Sequence, residues 1–223
     1  MSTADSRRDR GVDSGGRDVE LELRDVSLAG TLTVPAGSDG LVIFVHGSGS
    51  SRFSPRNRYV AGELNAAGLG TLLFDLLTAG EEGDRALVFD IELLASRLGE
   101  VTDLVRAEAE WIGYFGASTG AAAALWAAAD PDREIAAVVS RGGRPDLAMP
   151  RLGRVRAPTL MLVGGLDRMV IELNRQAAAA MRCEHELRIV RGATHLFEEP
   201  GTLEVVAQQA RDWFLDHRPA PPA

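Results

Sequence analysis

The sequence predicts an α/β protein: a mostly parallel central sheet flanked by helices. Three observations carry that expectation. Short β-branched or leucine-rich runs recur along the chain, each followed by a longer segment of helical character. The 223 residues, 45% of them hydrophobic and 25% charged, suffice for one full-sized core. Between Trp111 and Ala129 a strand pattern, a glycine-bounded turn and an alanine-rich helical pattern follow one another directly.

Residues Met1 to Asp18 mix Ser, Arg, Asp and Gly with almost no large apolar side chain, and are expected to form a flexible tail. A single domain is expected over residues 19–218, with a short C-terminal tail over 219–223. Val19 to Val34 reads as two antiparallel strands joined near Asp25. Later strands are predicted at Leu41 to Val45, Gly70 to Phe74, Trp111 to Phe115, Ile135 to Ser140, Thr159 to Val163 and Glu186 to Val190. The helices between and after them are predicted at Asn57 to Ala67, Ala86 to Ala107, Ser118 to Ala129, Val170 to Met181 and Leu203 to His217. Reactive groups in open α/β sheets gather at the carboxyl ends of the strands, so the search for a site begins there.

Composition excludes several classes of function. The formal charge of −8 argues against a nucleic-acid partner, whose phosphates are held by clustered Lys and Arg. All 24 basic residues are arginine, which removes Schiff-base and P-loop lysine chemistry. A single cysteine, Cys183, forms no intrachain disulfide, and Met1 to Arg10 has no apolar run of a secretory signal. A cytoplasmic address is expected. Apolar stretches stay short of the ~18 residues that suggest a membrane span, so no membrane partner is expected.

Gly116-Ala117-Ser118-Thr119-Gly120 follows the strand at Trp111 and opens the alanine-rich helix. This is the Gly-x-Ser-x-Gly pattern of a nucleophile elbow, in which a serine sits on a strained turn and small residues two before and two after avoid collision. The plain alternative is a helix N-cap after a tight turn. Serine needs a base within reach, usually an imidazole held by a carboxylate, and in this arrangement the chain order is Ser, Asp or Glu, His. His185 and His217 lie in charged segments, and His46 reads as a loop brace. His195 stands in the loop before the last helix and downstream of every candidate acid. Asp167 ends the preceding strand run and is the expected acid, or else an N-cap for the helix near Val170. Asp146 and Glu172 are alternatives; Asp75 breaks the chain order and is expected to brace a loop. The backbone amides of Ser48 and Thr119 are expected to form the oxyanion hole.

The motifs Phe44-Val45-His46-Gly47-Ser48-Gly49, Gly116 to Gly120, Gly165-Leu166-Asp167 and Ala193-Thr194-His195 together resemble the dienelactone-hydrolase-like branch of the α/β-hydrolases. The resemblance covers roughly Leu23 to His217. It implies a mostly parallel sheet without a large inserted cap, and it matches Ser118, Asp167 and His195 to the triad positions. Two departures stand out: dienelactone hydrolases carry a cysteine nucleophile and a glutamate in the early loop, where this chain has Ser118 and His46-Gly47-Ser48-Gly49. A serine at that position resembles the carboxylesterase-type members.

The expected activity is cleavage of small or medium esters or lactones through an acyl-enzyme, with a small-molecule ester as partner and no metal or organic cofactor. The alternatives are acyl transfer by the same triad, and a non-catalytic binding module of the same fold. The chain is expected to be a monomer or homodimer. Arg52, Arg141 and Arg144 could bind a carboxylate, though an arginine-rich surface in a lysine-free protein is the more ordinary explanation. Without a cap the pocket is expected to be shaped by the strand-end loops Ser50 to Arg58, Leu76 to Phe89 and Arg141 to Arg151; Leu77, Phe89, Met149, Met169 and Leu196 could line it, or belong to the core.

Overall fold

Residues 16–220 are described by the structure, a computed structural model; the remaining residues of both expected tails lie outside it. The chain opens with an antiparallel hairpin, β1 (Arg17–Glu22) and β2 (Ser27–Thr33), in which Leu21 pairs with Leu28. Alternating strands and helices follow: β3 (Gly40–Val45), α1 (Pro55–Ala66), β4 (Gly70–Phe74), α2 (Arg85–Val88), α3 (Ile91–Val105), β5 (Trp111–Ala117) and α4 (Thr119–Ala128). The last third holds β6 (Val138–Arg141), α5 (Met149–Leu152), β7 (Thr159–Gly164), α6 (Arg168–Ala180), β8 (His185–Val190) and α7 (Thr202–Asp216).

The strands form one sheet in the order β1-β2-β4-β3-β5-β6-β7-β8, antiparallel at β1, β2 and β4 and parallel from β4 to β8. Alternate residues of each central strand feed opposite layers. Ile43, Leu72, Tyr114 and Met161 pack with α3, α4 and α6 on one face. Phe44, Leu73, Phe115 and Leu162 pack with α1 and α7 on the other. Two buried faces explain why the strands read as continuous apolar runs. No helix among the described residues is long and apolar enough to cross a membrane.

The structure corrects three boundaries. β1 begins at Arg17, inside the expected tail, because Arg17 pairs with Leu32 across the hairpin and its guanidinium reaches Glu108. The long helix expected over Ala86 to Ala107 is two helices. Its pattern breaks at Phe89 and Asp90, where the Asp90 carboxylate accepts the Leu93 N–H at 3.0 Å and starts α3. β6 begins at Val138, three residues later than expected from Ile135.

Candidate active site

Ser118 joins β5 to α4 at φ 51° and ψ −121°, one of two described non-glycine residues with positive φ. Such a backbone costs roughly 1–3 kcal/mol and persists only where its surroundings fix it. Three backbone bonds do so here: Ser118 N–H to the Arg141 carbonyl (3.2 Å), and Arg144 and Ala121 N–H to the Ser118 carbonyl (3.0 and 3.1 Å). A side chain at Gly120 would collide with the Val45 and His46 carbonyls, so α4 can start this close to the sheet only with glycine there. Thr119 is the first residue of α4, and its N–H has no intrahelical acceptor.

His195 Nδ1 lies 2.7 Å from Asp167 Oδ2. A carboxylate only accepts, so this hydrogen bond places a proton on Nδ1. The ring is about 40% exposed and Asp167 about 14%. Asp167 is also an N-cap, because its other oxygen accepts the Val170 N–H at the start of α6 (3.4 Å). Leu166 N–H to the Ala193 carbonyl (2.9 Å) ties the loops that carry the pair. A Cβ at Gly164 would strike the Thr194 carbonyl, so glycine permits that approach. Beyond His195 the loop turns at Phe197 (φ 55°), whose ring is fully buried. Burial worth roughly 1.5–3 kcal/mol offsets that strain.

Gly142 connects the two halves of the site. It follows Arg141, whose carbonyl holds Ser118, and a Cβ on it would lie 3.5 Å from His195 Cε1. The buried Asn174 of α6 donates to the Gly143 carbonyl (3.0 Å) and secures this turn; sequence reading missed it, since one asparagine in an amphipathic helix gives no signal.

The rival residues are otherwise engaged. His46 is buried, with Nδ1 on the Gly47 carbonyl (3.0 Å) and Nε2 accepting the Leu76 N–H (3.2 Å). Burial lowers its pKa, outweighing the bond to Gly47 and the charges of Asp75 and Glu82. Asp75 accepts the Arg52 N–H (2.7 Å) and pairs with its guanidinium, Asp146 is bidentate to Arg144, and Glu172 pairs with Arg175 at the surface.

A cavity of about 310 Å³ opens beside Thr119, between the loop after β3 and the loop after β4. Ser48, Ser50 and Glu82 give it polar walls; Leu76, Leu77, Val88 and Leu94 give it apolar ones. Of the expected pocket residues only Leu77 lines it. Arg52 faces Asp75, and Phe89 is exposed in the α2–α3 break. Met169 (67% exposed), Leu196 and Met149 sit on the surface because they project from helix starts and the His195 loop. Arg141 is buried, donates to Asn57 Oδ1 (3.1 Å) and lies near the Phe197 ring; burial, then Arg56, pushes its pKa down to about 10. The Ser48 amide, expected in the oxyanion hole, donates to Thr119 Oγ1 at 2.9 Å.

Against known structures, the chain is 50% identical to a dienelactone hydrolase from Anabaena variabilis, covering 92% of this chain and 100% of that one with a TM-score of 0.88. The chain belongs to the α/β-hydrolase superfamily, in its dienelactone-hydrolase-like branch. The fold is also shared by Est1E from Butyrivibrio proteoclasticus (16% identity, 90% of this chain and 98% of that one, TM-score 0.77). An α/β serine hydrolase without a lid from Xanthomonas campestris shares it too (19% identity, 94% and 98%, TM-score 0.75). A Mycobacterium tuberculosis protein provisionally named a phosphoribosyl transferase is 59% identical over 215 residues, 94% of this chain and 48% of that protein. The chain thus spans about half the length of that relative. No family model matches the chain.

Proposed function

We propose that this α/β-hydrolase is a serine hydrolase that cleaves small or medium carboxylic esters or lactones through an acyl-enzyme. The observation that carries the reading is the His195–Asp167 hydrogen bond of 2.7 Å at the strand ends that also hold the strained Ser118. His195 Nε2 takes the Ser118 proton as Oγ attacks the carbonyl, and the imidazolium is stabilised by Asp167. The oxyanion receives the Thr119 N–H at the positive end of α4, and competes with Thr119 Oγ1 for the Ser48 N–H. His195 then protonates the leaving alcohol, and water enters by the same path in reverse.

The name dienelactone hydrolase borne by the 50% identical structural relative agrees in class with this chemistry. The transferase name belongs to a protein about half of which this chain does not match. Acyl transfer to an acceptor other than water would run on the same residues. The test is steady-state hydrolysis of p-nitrophenyl esters of increasing acyl length. Wild type is expected to turn over the shorter ones, and Ser118→Ala to lose kcat by about a millionfold, the scale for removing a triad serine. Equal turnover in the variant would refute the assignment.

A further inference from the structure

The cavity beside Thr119 has a direction relative to the reacting atoms. A leaving alcohol must lie within reach of the base that protonates it, so under the proposed mechanism it occupies the His195 side. Neither His195 nor Asp167 lines the cavity, whereas Thr119 and the loop His46 to Ser51 do. The cavity is therefore on the side left for the acyl group. On the His195 side the surroundings are open, with Leu166, Met169 and Leu196 all exposed.

Among the described residues, Glu82 is the one carboxylate in the cavity lining. No hydrogen bond or ion pair is made by its side chain among the described residues, and its charge reaches His46, which also lines the cavity. Its neighbour Glu81 fixes the loop that carries it. Glu81 forms a bidentate pair with the buried Arg97 of α3 (2.7 and 2.8 Å) and accepts the Thr78 N–H (2.9 Å) and hydroxyl (3.0 Å). Arg97 also donates to the Leu76 carbonyl (3.1 Å), so one guanidinium holds both the apolar wall and the turn that presents Glu82. Leu76 and Leu77 are buried, and Leu94 comes from the same helix as Arg97.

We propose that this cavity is the acyl pocket and that Glu82 sets its charge preference, favouring short aliphatic acyl chains that end in a positive charge and disfavouring those that end in a carboxylate. This rests on the serine-hydrolase reading. An acyl chain in this cavity would have Leu76, Leu77 and Leu94 as its apolar wall and the Glu82 carboxylate as the charged group of the lining. A terminal carboxylate in that place faces a like charge with no described cation in the cavity lining to offset it. The alcohol, on the open side, is selected weakly.

The test compares three p-nitrophenyl esters with the same three-carbon spacer: 4-(trimethylammonio)butyrate, its uncharged isostere 5,5-dimethylhexanoate, and the glutarate monoester. Wild type is expected to rank them by kcat/KM in that order. Glu82→Gln is expected to shrink the ammonium-to-carboxylate ratio about tenfold, the scale of a charge pair in a partly wetted cleft, mainly through KM. Glu82→Arg is expected to invert the ranking. Because each ratio is taken within one protein, a change in the folded fraction cancels. Turnover with the same ratio in all three proteins would overturn the pocket assignment while leaving the hydrolase reading standing. Absence of turnover for every ester in wild type would overturn both.

Discussion

Two histidines stand at the carboxyl end of the same sheet, each with an aspartate on a strand end nearby, and their fates differ. His46 follows β3 and is sealed in, with both ring nitrogens consumed by backbone groups and Asp75 occupied by Arg52. His195 follows β8 with Nδ1 on Asp167 and no hydrogen bond at Nε2 among the described residues. The first ring has no lone pair left for a substrate proton; the second has one, and is about 40% exposed. Proximity of histidine and carboxylate is thus insufficient for base chemistry. What counts is which atoms remain after the backbone has taken its share.

The comparison breaks most visibly at His195. His195→Ala is expected to lower kcat/KM for an ester substrate by four or more orders of magnitude, while its exposed position keeps the unfolding free energy within about 0.5 kcal/mol of wild type. Asp167→Asn comes next. Asparagine caps helices about as well as aspartate, so α6 should survive, but the amide favours the wrong His195 tautomer and kcat should fall about 10⁴-fold. A thermal unfolding midpoint that falls along with activity would show Asp167 to be only a cap.

His46→Ala should act in the opposite sense. It leaves the buried Leu76 N–H without its acceptor, and urea unfolding should record a loss of about 1–3 kcal/mol. The smallest effect is pH dependence. Burial makes folded His46 bind its proton more weakly than the unfolded chain does, so the stability present above pH ~6.5 is lost as the pH falls below that value. His46→Gln removes this titration, and its stability should vary less between pH 7 and pH 5 than that of wild type. Parallel pH profiles would show that His46 is not the group responsible.

The parts of this account that were legible in the sequence are local. The runs Leu41 to Val45 and Trp111 to Phe115 are buried on both faces and so carry their strand signal in every residue. Ser118 is announced by the glycines two positions away, and the places of Asp167 and His195 follow from chain order at strand ends. The cavity was legible only in the strand-end loops that wall it, because α2, α3 and the start of α4 also contribute and the Arg97–Glu81 pair, 16 residues apart, holds the walls together. No short-range pattern announces such a pair, and the uninterrupted helical reading of Ala86 to Ala107 hid the break at Asp90. Arg141 misled for a related reason: arginine is read as surface, yet here its guanidinium lies under the Phe197 loop against Asn57.

The central claim is that Ser118 is an activated nucleophile, and covalent labelling tests it without knowledge of the substrate. Wild type and Ser118→Ala would each be treated with a fluorophosphonate and weighed as intact proteins. One adduct per wild-type chain, mapped to Ser118 and absent from the variant, is the expected result; an unlabelled wild type, or equal labelling of both, would contradict the account.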